Sequence, residues 1–123
     1  MKVIHTSNAP EAIGPYSQAM ITGNLLFTSG QIAINPASGQ VEADTIEGQT
    51  QQVMKNLGAL LEAAGTGFDK VVKTTCFLAD MGDFATFNGI YEGYFVGKPA
   101  RSCVAVKQLP KNVLVEVEVI AEV

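Results

Sequence analysis

"VLVEVEVIAEV", Val113 to Val123, alternates with a period of two along nearly its whole length. That period places successive side chains on opposite faces of a β-strand, so Val113, Val115, Val117 and Val119 share one face, and Leu114, Glu116, Glu118 and Ile120 share the other. Both faces carry apolar residues, so the strand predicts a sheet whose two sides each need a cover.

Working outward, the loop "KQLPKN" with its Pro110 separates this strand from "PARSCVAV", a second strand-like run. Upstream, Phe84, Phe87, Tyr91, Tyr94 and Phe95 recur at helical spacing, with Asp80 and Asp83 as candidate caps. Gly89 and Gly93 in that helix, four apart, would permit a close backbone approach. "KVVKTTCFLA" (Lys70 to Ala79) alternates and is rich in β-branched residues, so it reads as a strand. Before it, Ile46, Val53, Leu57, Leu60, Leu61 and Ala64 mark a helix that Gly65 stops, and Asp44 with Glu47 resembles a capping box. Residues Tyr16 to Ile34 read as a hairpin turning at Gly23-Asn24, closed by the turn cluster "NPASGQ". The order β-β-α-β-α-β-β predicts an α+β fold in which two helices cover one face of a mixed sheet. With no further helix for the other face, self-association into a homo-oligomer is expected.

The chain has 123 residues and a mass of 13.0 kDa, about the size of one domain, so one domain over residues 1–123 is expected. Its hydrophobic share of 47% indicates a globular protein, and no apolar run approaches the length of a membrane span. Met1 to Asn8 carries no basic region followed by an apolar stretch, which makes the cytoplasm the expected location. A net charge of −4 without a basic cluster argues against nucleic acid as a partner. Cys76 and Cys103 do not form a CxxC and the single histidine is His5, so no metal site is expected, and a Cys-His nucleophile pair has only that N-terminal imidazole to draw on.

Arg101 is the conspicuous residue. A guanidinium keeps its charge and offers five donors, so in an apolar strand it needs a carboxylate from the protein or from a ligand. Arg101, Cys103 and Ala105 share a face, and if this strand neighbours the last one, Arg101 could pair with Glu116 or Glu118 across the sheet. The alternative is a clamp: Arg101 binds a small carboxylate through paired hydrogen bonds while Glu116 orients or deprotonates a water, an arrangement suited to hydrolysis of a small acid. Tyr16 in "IGPYSQA", Ser29 and Gly30 in "FTSGQI", and Asn88 on the aromatic helix are further candidates. Each also has a structural explanation: packing for Tyr16, a bulge for Gly30, solvent exposure for Asn88.

"IGPYSQA", "FTSGQI", "NLGALLEAAG", "DFATFNGIYEGYF", "PARSCVAV" and "VEVEVIA", in this order and spacing, together resemble the RidA family (YjgF/YER057c/UK114) along nearly the whole chain. The resemblance implies a chorismate-mutase-like fold, homotrimers with a cleft at each subunit interface, and a 2-iminobutanoate/2-iminopropanoate deaminase. Such an enzyme hydrolyses 2-aminoacrylate, 2-aminocrotonate and their imines to 2-oxo acids and ammonia without metal or organic cofactor. By the family pattern Arg101 binds the substrate carboxylate and Glu116 positions the water, while Tyr16, Ser29, Gly30, Asn88 and Cys103 line the cleft. "YFVGKPARS" is shortened relative to common members. A non-catalytic module that holds a 2-oxo acid in the same cleft is the alternative reading, since a carboxylate anchor serves binding as well as turnover. A nuclease or translation inhibitor, a role suggested for some relatives, fits the acidic charge poorly.

Overall fold

In the computed structural model, which describes residues 1–123, the chain runs through β1 (Lys2–Ile4), β2 (Ala19–Thr22), β3 (Leu25–Thr28), β4 (Ile34–Asn35), β5 (Gln40–Val41), α1 (Ile46–Ala63), β6 (Val71–Leu78), α2 (Phe84–Tyr94), β7 (Ala100–Ala105) and β8 (Val115–Glu122). The strands and helices read from periodicity are all present. Two additions go beyond that reading: β1, a short strand on the sheet edge, and the miniature β4–β5 hairpin that the "NPASGQ" cluster turns.

The main sheet has the order β1-β2-β3-β8-β6-β7. β8 lies antiparallel to both β3 and β6, while β6 and β7 are parallel. Parallel neighbours need a long crossover, and α2 supplies it. β2 and β3 turn at Gly23, whose φ of 58° suits a two-residue hairpin loop.

Both helices cover one face. Val53, Met54, Leu57 and Leu61 of α1, with Phe87 and Tyr91 of α2, pack against Ala19, Leu26, Cys76, Leu78, Val115, Val117, Val119 and Ala121. The alternation of β8 thus sends its small β-branched residues to the helices and leaves Glu116, Glu118 and Ile120 on the other side. Truncating a wholly buried side chain here, such as Leu57, would cost about 2–5 kcal/mol.

Three local expectations change. The cap of α1 is Thr45, whose Oγ1 accepts from the Gly48 amide at 3.1 Å, rather than Asp44. Both residue types cap well, and the register follows from Ile46, which is buried as the first helical residue. Asp80 caps a preceding 3₁₀ turn at Met81–Asp83 by accepting from Gly82, and Asp83 begins α2 without a side-chain cap bond. Gly89 and Gly93 do not mediate close packing, since a Cβ at either would meet nothing within 4 Å.

The second sheet face has no helix on it. Val3, Met20, Phe27 and Ile120 follow one another across the register on that side, as do Glu116, Phe77 and Val104. Val3 is 59%, Phe27 40% and Val104 48% exposed, leaving an apolar band bare in the single chain.

Candidate functional site: two half-sites on opposite faces of one sheet

β7 is an edge strand, and Arg101 lies opposite Thr74 of β6. Thr74 is buried beneath the helices, so Arg101 points to the helix side, under α2. There Phe84, Asn88 and Tyr91, at positions i, i+4 and i+7 of α2, form one stripe that meets the guanidinium. Its Nη1 donates to Asn88 Oδ1 at 2.6 Å, and its carbon sits 4.7 Å from the Tyr91 ring centroid and 5.4 Å from that of Phe84. The hydroxyls of Tyr91 and Thr74 share a hydrogen bond of 2.7 Å, which fixes the ring. Burial pushes the Tyr91 phenol pKa up, so it stays neutral.

A hydrogen bond to a charged group contributes about 1.5–3 kcal/mol, and a cation over an aromatic face adds about 0.5–2. Together these offset the ~2 kcal/mol of rotamer entropy that an arginine loses when held. The side chain is therefore oriented before any ligand arrives. Arg101 has no carboxylate partner: the one contact in the chain between a basic and an acidic side chain is the hydrogen bond of His5 Nε2 with Glu11 at 3.2 Å. Its remaining N–H groups face a cleft of about 430 Å³ bordered by Asn88, Glu92, Lys98 and Pro99.

Cys103 follows on the same face, opposite Cys76. Burial raises both thiol pKa values, that of Cys76 to about 12, with the Arg101 charge opposing the shift in each. Neither is an activated nucleophile, and Cys103, although on the same strand face as Arg101, does not border that cleft.

Glu116 belongs to the other side. It lies opposite Phe77 on the bare face, and β6 separates β8 from β7. The anticipated cross-strand pair between Arg101 and Glu116 or Glu118 is therefore not formed, because the strands are not neighbours and the side chains leave opposite faces. Glu116 packs against Gly30 so closely that a Cβ there would overlap the carboxylate. The Gly in "FTSGQI" thus marks a close approach, and the approaching group is Glu116. Ladder bonds between Gln31 and Val117, at 2.8 and 3.1 Å, hold Gly30 in place. Buried Asn56 secures the following segment by donating to the carbonyls of Ile32 and Ile34.

Ser29 Oγ donates to the Ser17 carbonyl at 2.6 Å, and Tyr16 stands 54% exposed at the mouth of this cleft, which holds about 730 Å³. Buried Gln18 fixes its outer wall, accepting from the Thr6 amide and donating to the carbonyls of Thr6, Ala9 and Pro10. Glu116 makes no hydrogen bond within the chain. Burial, and secondarily the charge of Glu118 on the same face, raise its pKa above the ordinary carboxylate value.

The structure thus gathers Tyr16, Ser29, Gly30 and Glu116 into one half-site, and Asn88 and Arg101 into another, with Cys103 on the same strand face outside that cleft. It does not bring the two halves together in one chain. Sequence reading missed Tyr91 and Phe84 as the platform for the guanidinium, although their spacing with Asn88 is a legible stripe. It also missed Gln18 and Asn56, which are single polar residues with no local pattern to announce long-range bonds. No three His, Cys, Asp or Glu side chains converge as a metal site would require, and no helix is long and apolar enough to cross a membrane.

Comparison with known proteins agrees with this architecture. A protein of Lactococcus lactis named "Putative regulator AldR" is 56% identical over 100% of this chain and 98% of its own. The 2-iminobutanoate/2-iminopropanoate deaminase of Escherichia coli is 50% identical over 98% of this chain and 96% of its own. The crystal structure of E. coli TdcF with bound serine superposes with a TM-score of 0.94 at 42% identity, covering 100% of this chain and 99% of that one. The pattern of the family described as Endoribonuclease L-PSP matches residues 6–123, and the chain belongs to that family, the YjgF/RidA family.

Proposed function

We propose that this protein is a hydrolytic deaminase of small 2-imino acids, acting in a cleft where the Arg101 half-site of one subunit meets the Glu116 half-site of the next in a homotrimer. The observation that carries the reading is the oriented guanidinium of Arg101, free of any carboxylate of its own chain. The deaminase name of the E. coli relative and the serine bound by TdcF, a small amino acid carboxylate, point the same way.

Arg101 takes the substrate carboxylate in a two-pronged grip, which leaves C2 facing the opposite wall. An imine protonated on nitrogen is already electrophilic, so orientation and a positioned water suffice. Glu116 accepts a proton as that water adds to C2, then returns one to the nitrogen, and the tetrahedral carbinolamine collapses to a 2-oxo acid and ammonia. One water is consumed per ammonia released. The raised pKa of Glu116 brings its two protonation states closer to balance near neutral pH, which suits a group that takes and gives a proton. The scheme uses neither metal nor organic cofactor, and its product leaves through hydrolysis of a C–N bond.

A serine or threonine dehydratase coupled to the purified protein tests this. Added protein should speed release of ammonia beyond buffer. Glu116→Gln should lose about 10²–10⁴-fold of that acceleration while still binding 2-oxobutanoate. Arg101→Ala should lose both binding and turnover. A wild-type protein that binds 2-oxobutanoate but never accelerates ammonia release would sink the enzyme reading and favour a carboxylate-binding regulatory module, which the name of the L. lactis relative also suggests. The acidic net charge of −4 favours either reading over a polyanion substrate.

A further inference from the structure

Cys76 and Cys103 are the only cysteines of the chain, both are free, and they stand directly opposite each other in the parallel β6–β7 register. Residues so paired project to the same side, here the helix side. Adjacent strands lie about 4.8 Å apart, inside the Cα separation of about 4.4–6.8 Å that a disulfide spans. The two thiols are near enough that each perturbs the ionisation of the other. Cys76 is wholly buried against Thr74, while Cys103 is half-buried on the strand face that also carries Arg101. The pair therefore has one sulfur that a small reagent can reach and one held immediately behind it.

From this placement we infer that Cys76 and Cys103 form an oxidative modification site, in which a small peroxide converts the two thiols to a cross-strand disulfide within one chain. The inference is independent of the deaminase reading, since it rests on the strand register and the unequal burial of the two thiols. Cys103 reacts first: its sulfur attacks one peroxide oxygen, the O–O bond breaks, and a sulfenic acid and one water result. Cys76 then attacks that sulfur, the S–O bond breaks, and the Cys76 proton leaves with the oxygen as a second water. Two thiols and one hydrogen peroxide give one disulfide and two waters, the sulfurs losing the two electrons that the peroxide gains. Burial holds the Cys103 thiol above its usual range, with the Arg101 charge opposing that shift, so the first step is slow at neutral pH; the deeper burial of Cys76 makes the second step slower still, and both speed up as pH rises. With the Cys103 sulfur half-buried rather than sealed, a small dithiol can attack the bridge by exchange, so the modification is reversible.

The full-length folded protein, treated with hydrogen peroxide, alkylated and digested with trypsin without reductant, tests this directly. The two cysteines fall in separate tryptic peptides, residues 74–101 and 102–107, because the Lys98–Pro99 bond resists trypsin. The expected result is a fall from two free thiols per chain to none, one linked pair of these peptides lighter by two hydrogens, and full reversal by dithiothreitol. Cys76→Val, with Cys76→Ser as a second variant, should instead leave Cys103 as a sulfenic acid that dimedone traps. Over-oxidation of Cys103 beside an intact Cys76 thiol in the wild type would overturn the inference. So would a bridge between chains, a bridge that appears only after unfolding, or no loss of thiols at all.

Discussion

Glu116 acquires its chemistry from three neighbours that act differently. Gly30 gives the carboxylate room that any side chain would fill, the surrounding sheet takes water from it, and Glu118 sets a second negative charge on the same face. The last two both favour the protonated form. If Glu116 works as a carboxylate, activity should fail on the acid side at a pH above the ordinary carboxylate range. Glu118→Gln removes the smaller cause and leaves burial in place, so the acid limb should move to lower pH but stay above the normal position; a pH–rate profile with an unmoved limb would refute the coupling. The same shift bears on stability. A carboxylate with a raised folded-state pKa supports folding below its unfolded value and loses that support as pH rises through the folded one. Glu116→Gln should therefore raise the thermal midpoint at neutral pH even as it removes activity, a divergence that calorimetry and the ammonia assay can measure on one sample. The residue identities were legible in the sequence. Of the two readings open for Arg101, the cross-strand pair with Glu116 or Glu118 depended on their strands being neighbours, and it does not form because β6 lies between them, a property of strand order that no local pattern encodes.

α2 serves two purposes with two stripes. Phe87, Tyr91 and Phe95 pack inward, whereas Phe84, Asn88 and Tyr91 hold Arg101, with Tyr91 common to both. The spacing that correctly predicted this helix also concealed its second role, because aromatic residues at helical intervals look alike whether they cover a core or a cation. α1 has a comparable double function. Its stripe builds the core, yet Asn56 within that stripe reaches out to the carbonyls of Ile32 and Ile34 and so steadies the segment that follows Gly30. Asn56→Ala leaves both carbonyls without their donor, which should cost about 1–3 kcal/mol in denaturant unfolding. Turnover should fall as well, since the segment that keeps Gly30 against Glu116 is loosened. Unchanged stability and unchanged kcat would show that Asn56 does not support the site.

At the scale of the molecule, the placement of the half-sites on opposite sheet faces makes a definite demand on assembly. If each cleft draws Arg101 from one subunit and Glu116 from another, Arg101→Ala and Glu116→Gln proteins are both inactive alone but complementary. Refolded together in equal amounts, they should recover about a quarter of the wild-type activity, because one cleft in four receives both intact residues by chance in a closed symmetric ring. Recovery of none would place both residues of each site in one chain or outside the reaction. The bare apolar band anticipated from the two-faced "VLVEVEVIAEV" strand is the surface on which such a ring would close. That strand has a further consequence, for the order in which the chain can fold. The β2–β3 hairpin and the β6–α2–β7 unit are each local and can begin early, but in the finished sheet they touch only through β8, which follows both in the chain. Pairings such as Leu25 with Glu122 close loops spanning most of the sequence, a high contact order that slows folding. Neither half has a partner until the C-terminal strand slides between them, so the two halves should gain protection from hydrogen exchange in a single step.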